Sequence, residues 1–142
     1  MLYKKIRLMI IIMVSIVPLP LFSQASTVEE STLAFCLNEG PVSAIAGCFT
    51  ALELKRNADY NRTYQTFINE IIKNKNNFLN YNGFIQKTKK AKGYFDKYMQ
   101  SECQAWADQV IIDSPAWHTL YSQCMVRFYE QRINFYNKYD FQ

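Results

Sequence analysis

From Ile45 to Ile71 the apolar residues recur at threes, fours and one double step: Ile45, Phe49, Leu52, Tyr60, Tyr64, Phe67, Ile68 and Ile71. That spacing lays them along one face of a helix and excludes the two-residue alternation of a half-buried strand. It predicts one long helix over roughly 45–76. The Asn-rich stretch that follows, Asn74, Asn76, Asn77, Asn80, Asn82 and Gly83, has the turn chemistry that ends it. A second helix is expected over roughly 84–110, with Phe84, Ala91, Phe95, Tyr98 and Trp106 near one stripe. Asp113-Ser114-Pro115 then stops and restarts the chain, with Ser114 placed to cap and Pro115 in the first helical position. A third helix is expected over roughly 115–138, with Leu120, Tyr121, Cys124, Phe128, Phe135 and Tyr139 inward. The predicted fold is therefore all-α: an antiparallel three-helix bundle preceded by a short N-terminal segment. Tyr64, Phe95 and Tyr98 are expected as buried contacts between the first two helices, and the many aromatics as core packing.

The start of the chain reads as a secretory signal peptide over 1–25. Lys4, Lys5 and Arg7 precede the uncharged run Leu8 to Val17, Pro18 and Pro20 break it, and Ser23-Gln24-Ala25 offers a small-residue cleavage site. The run is shorter than the about 20 residues a spanning helix needs. Leu33-Ala34-Phe35-Cys36 imitates a lipoprotein site, but Phe35 is bulky and Cys36 lies too far beyond the apolar run. The expectation is export to the periplasm or beyond, with no membrane attachment after cleavage. A leader over 26–44 and a helical domain over 45–142 would remain.

The charge balance does not point to a nucleic-acid partner. Three of the 16 Lys and Arg fall in the signal, leaving 13 against 12 acidic residues, a net charge of +1. Lys87, Lys89, Lys90 and Lys92 form a local basic run. It lacks the pattern of a nucleic-acid reader and is expected to be a solvated helix face.

Cys36, Cys48, Cys103 and Cys124 all lie beyond the signal, an even set in an exported chain, which predicts two disulfides. Gaps of 12, 55 and 21 do not match the close pairs of a structural zinc site. Three antiparallel helices bring all four cysteines to one pole, so all three connectivities stay open. Cys36–Cys48 with Cys103–Cys124 is the favoured one.

No catalytic constellation is visible. His118 is the single histidine and has no partner motif. Glu53, Asp59, Glu70, Asp96, Glu102 and Glu130 are scattered at surface spacings, and disulfide-bonded cysteines are not nucleophiles. A non-enzyme without cofactor or metal is the expectation.

An ordered set of short motifs carries a family resemblance over roughly residues 36–136. Cys48 is followed at nine and thirteen residues by Asn57 and Asn61, the latter in Tyr60-Asn61-Arg62-Thr63-Tyr64. Ala91-Lys92-Gly93-Tyr94-Phe95-Asp96-Lys97-Tyr98 comes next, with Cys103 five residues beyond, and Arg132 lies eight residues after Cys124. This order resembles the LprI-type lysozyme-inhibitor family, exported bacterial helical domains. The chain departs from the family in having Asn57 for Asp, Lys92 for Gln and Phe95 for Trp, and in lacking Gly-Gly-Ser before the last cysteine. The resemblance implies a protein that binds and occludes a lysozyme. Contacts would then come from loops 77–83 or 104–117, with Asp108 and Asp113 facing a basic enzyme. The alternative is an envelope or secreted protein-interaction module with no lysozyme target.

Overall fold

The computed structural model describes residues 33–139, and the expected signal peptide with its cleavage site lies outside the described residues. Helix α1 spans Val42–Lys73, α2 spans Tyr81–Ala107 and α3 spans Pro115–Asn137. A helical turn at 33–37 precedes α1. The all-α three-helix architecture is the one the periodicity predicts.

The boundaries follow from local chemistry. Gly40 takes φ +96, a conformation open to glycine, and turns the chain before Pro41 begins α1. The helix thus starts inside the expected leader, three residues before Ile45. It also ends earlier than expected: the Asn74 amide donates to the Glu70 carbonyl at 2.8 Å, and a short 3-10 turn, Lys75–Asn77, follows. Asn80 caps α2 by accepting from the Gly83 N–H at 3.0 Å. A Cβ at Gly83 would lie 2.7 Å from the capping amide, so the close approach depends on glycine. Ser114 caps α3 as expected, accepting from the Trp117 N–H at 3.2 Å, with Pro115 in the first turn.

Helix α3 is the central element, packing along both α1 and α2. Against α1 it runs parallel in a fixed register. Glu53 meets Ser122, 69 positions on, and Tyr60–Tyr129 and Phe67–Tyr136 keep the same offset at seven-residue steps. This is the seam of a coiled-coil-like pair. Tyr60, Ile68, Ile71, Met125 and Tyr129 fill it. Against α2 the run is antiparallel, through Phe95–Phe128, Tyr98–Phe128 and Phe84–Tyr139.

Three expectations are corrected by this arrangement. Tyr64 is buried, but Phe95 is half-buried and Tyr98 is 54% exposed, and the ring partners of all three lie on α3. Helices α1 and α2 meet instead through long polar groups: Tyr60 donates to Asp96 at 2.7 Å, and Lys92 lies over the Tyr60 and Tyr64 rings. Lys92 also pairs with Asp96 at 2.8 Å. It therefore leaves the solvated face expected of the basic run, whereas Lys87, Lys89 and Lys90 stay exposed. On α3, Phe135 is exposed and the most buried positions are Ser122, Met125, Val126, Tyr129 and Tyr136.

The disulfides are Cys36–Cys48 and Cys103–Cys124, and no cysteine is free. The first ties the turn at 33–37 to α1. The second joins the end of α2 to α3, with Cys103 wholly buried. Both lie at the pole where α1 starts, as the favoured pairing requires.

Candidate binding surfaces

The disulfide pole carries a constructed loop. Residues 108–114 connect α2 to α3 between Cys103 and Cys124, so the disulfide clamps both sides of the connection. Asp108 accepts from the Trp117 indole N–H at 2.9 Å, and the Trp117 ring stacks on Tyr121 at 5.1 Å. Asp113 holds the left-handed conformation, φ 60, just before the cap. Between these fixed points Ile111 and Ile112 stand 82% and 64% exposed. Exposed large apolar side chains on an anchored loop are the feature that sequence reading missed. Their signal was Val110-Ile111-Ile112, an apolar run directly ahead of a turn.

The loop's end adjoins the start of α1. Asp113, Pro115 and His118 line a shallow depression of ≈ 330 Å³ with Ser43, Ala46 and Thr50. Phe35, Leu37 and Val42, in the segment leading into α1, are exposed as well. Of the two expected contact residues, Asp113 lies on this accessible edge. Asp108 is exposed, but its carboxylate is already engaged by Trp117.

The residues that carry the family resemblance do not form one surface. The Asn61 amide donates to the Asn57 carbonyl at 2.9 Å and to its side-chain oxygen at 2.8 Å, a contact within α1. Tyr64 packs on Tyr136 in the core. Arg132 lies over Phe95, Phe135 and Tyr136 at 4.4–5.0 Å, a guanidinium held by aromatic faces. Tyr98 and Asn61 face outward on different helices, Tyr98 edge-on to Phe128.

A second concavity lies between α2 and α3. It measures ≈ 470 Å³ and has Trp106, Leu120 and Phe128 on its apolar side, with Glu102, Gln123, Arg127 and Gln131 around them. Gln123, Arg127 and Gln131 recur at fours on α3, a polar stripe legible in the sequence but overshadowed there by the aromatics.

Titratable groups of the interior are tyrosines. Burial pushes the Tyr60 hydroxyl far above its ordinary value, helped by its hydrogen bond to Asp96. Burial raises Tyr129 and Tyr121 too, with the Glu53 carboxylate adding to both. These raised values keep the phenols neutral, and Tyr60 uses its proton to donate to Asp96. Among the described residues no group of three or more His, Cys, Asp or Glu side chains could hold a metal ion.

These features define a small disulfide-stapled helical bundle with an apolar-tipped loop at one pole and a mixed groove on its flank. No family model, curated protein or solved structure matches the chain.

Proposed function

We propose that this is an exported, non-enzymatic binding protein that uses the 108–114 loop to occlude a cleft on its partner, a lysozyme being the partner implied by the family resemblance. The observation that carries the reading is the exposure of Ile111 and Ile112 on a loop clamped by Cys103–Cys124 and by the Trp117–Asp108 hydrogen bond. An inhibitor needs no chemistry of its own. It needs a protruding element already held in its bound shape, because pre-organisation lowers the ordering cost of binding. Two adjacent apolar side chains at the tip provide the anchor, and Asp113 beside them provides a carboxylate for a basic rim. The two disulfides fit an oxidising compartment, and the signal-like start supports export.

The oxidised protein from residue 26 onward is to be mixed in excess with a c-type lysozyme while lysis of peptidoglycan-bearing cells is followed. Inhibition is expected, and Ile111→Ser with Ile112→Ser should abolish it without altering the fold. Undiminished lysis, with no complex by calorimetry, would overturn the lysozyme target. The second reading, an envelope interaction module, is favoured by charge: a net +1 beyond the signal gives no attraction toward a basic enzyme.

A further inference from the structure

We infer that the groove between α2 and α3 is a binding site for a neutral oligosaccharide. Its volume of ≈ 470 Å³ lies within the about 300–1,000 Å³ of small-ligand sites. The wall on α2 carries Glu102 and Trp106, four residues apart, and the wall on α3 carries Gln123, Arg127 and Gln131 at the same spacing. Each set therefore lines up along its helix. Cys103–Cys124 fixes the two walls to each other beside the groove, so the cleft is shaped before anything enters it.

The two tryptophans differ in a way that marks the site. Trp117 has given its indole N–H to Asp108 and its face to Tyr121. Trp106 is 52% exposed, and its indole N–H has no protein acceptor among the described residues. The same holds for the side chains of Glu102, Gln123, Arg127 and Gln131, which make neither hydrogen bond nor ion pair there. Between them they offer amide, guanidinium and indole donors with amide and carboxylate acceptors around an aromatic face. A pyranose ring needs this combination: an apolar C–H face to lie against an aromatic ring, and hydroxyls around its edge that both donate and accept.

The chemistry also weighs against two other occupants. One carboxylate and one guanidinium leave the groove without net charge, which disfavours phosphate-bearing ligands. An apolar helix laid in the groove would cover the Gln123–Arg127–Gln131 stripe without satisfying it, a costly desolvation. The proposal is independent of the loop-mediated reading, since it needs neither Ile111 nor Ile112.

The test is titration of the oxidised protein with tri-N-acetylchitotriose, cellotriose and maltotriose, each to about 10 mM, a range that captures weak binding. Calorimetry and tryptophan fluorescence are the readouts. Saturable binding of at least one sugar is expected. Trp106→Ala should weaken it by about tenfold or more, about 1.4 kcal/mol for each factor of ten. Trp106→Phe should retain most of it, and Gln131→Ala should weaken it severalfold, all with unchanged helical circular dichroism. No saturable signal with any of the three sugars would overturn the inference, as would binding that Trp106→Ala leaves intact.

Discussion

Ser122 donates to the Glu53 carboxylate at 2.7 Å across the α1–α3 seam, from a position only 2% exposed. The pair sits one heptad step before Tyr60–Tyr129, so a polar contact occupies a place where the seam would otherwise be apolar. One turn further along, Arg56 Nε lies 2.8 Å from Glu130 Oε1, although the N–H is not aimed along that line. A slip by one residue would set Ser122 opposite Leu52 or Leu54, and a slip by one heptad opposite Ala46 or Tyr60. The polar layer thereby sets the register of two long helices whose apolar residues alone would accept several.

Ser122→Ala is expected to destabilise the protein by about 1.5–3 kcal/mol, the range for a hydrogen bond to a charged group. Urea unfolding measures it, and a double-mutant cycle with Glu53→Ala, which removes the acceptor, isolates the contact. Strict additivity of the two substitutions would show that the hydroxyl and the carboxylate contribute separately.

Alkaline titration probes the tyrosine core. Tyr60 and Tyr129 have native values raised above those of the free side chain, with burial the leading cause in both. The folded state therefore holds their protons more tightly than the unfolded state does. Their contribution is complete below about pH 10, where free tyrosine titrates, and is lost as pH rises from there toward the native values. Stability should be level from neutral pH to about 9 and then fall, with the tyrosinate signals of Tyr60 and Tyr129 appearing only together with unfolding. A phenolate signal from Tyr60 or Tyr129 at about pH 10 in the intact fold would contradict this.

How much of this was legible in the sequence depended on the number of neighbours each helix has. Helix α1 has one main partner, α3, so its stripe from Phe49 to Ile71 reads directly. Helix α3 has two. Its α2-facing residues Cys124 and Phe128 were visible as a stripe, but Ser122, Met125, Val126, Tyr129 and Tyr136 form a second seam toward α1. Two seams on one helix blur into apolar residues all round, and no single stripe can be assigned. Tyr98 was misplaced for a related reason: it lies at the edge of the α2 stripe, where an aromatic ring can touch Phe128 and remain wet. Chain direction brought the four cysteines to one pole and left all three connectivities open, so the choice of Cys36–Cys48 with Cys103–Cys124 needed coordinates. The exposed loop isoleucines and the uncommitted groove residues needed coordinates, because exposure is not a property of composition.

The two disulfides should differ in what they hold. Cys103 is in the core, and the Cys103–Cys124 link spans 21 positions; Cys36–Cys48 spans 12 and secures a peripheral turn. Replacing Cys103 and Cys124 together by Ala should cost about 3–4 kcal/mol, near the upper end of the usual range. Replacing Cys36 and Cys48 should lower the global midpoint less and mainly expose residues 33–41 to protease. Thiol titration of the unreduced native protein should find no reactive cysteine. Equal losses from the two pairs would place the 33–37 turn inside the cooperative unit.

Phe95 and Arg132 are the last pair to separate. Phe95 is half-buried, edge-on to Phe128 at 6.0 Å, with the Arg132 guanidinium 5.0 Å from its ring centre. Arg132 also lies over Phe135 and Tyr136, so its planar group works as a layer between rings of α2 and α3. Phe95→Ala removes one wall of that layer without opening a closed cavity. Its cost is expected at about 1.5–3 kcal/mol, below the 3–5 of a fully buried phenylalanine. Arg132→Lys should be destabilising despite keeping the charge, because an ammonium lacks the flat faces that stack on aromatics. A loss of about 1 kcal/mol is expected, in line with partly shielded cation–π contacts. Once Phe95 is Ala the lysine substitution should cost less, since one ring of the stack has gone. Unfolding curves of the two single variants and the double variant decide the matter. If Arg132→Lys is neutral in both backgrounds, the guanidinium rests on the rings without holding the helices together.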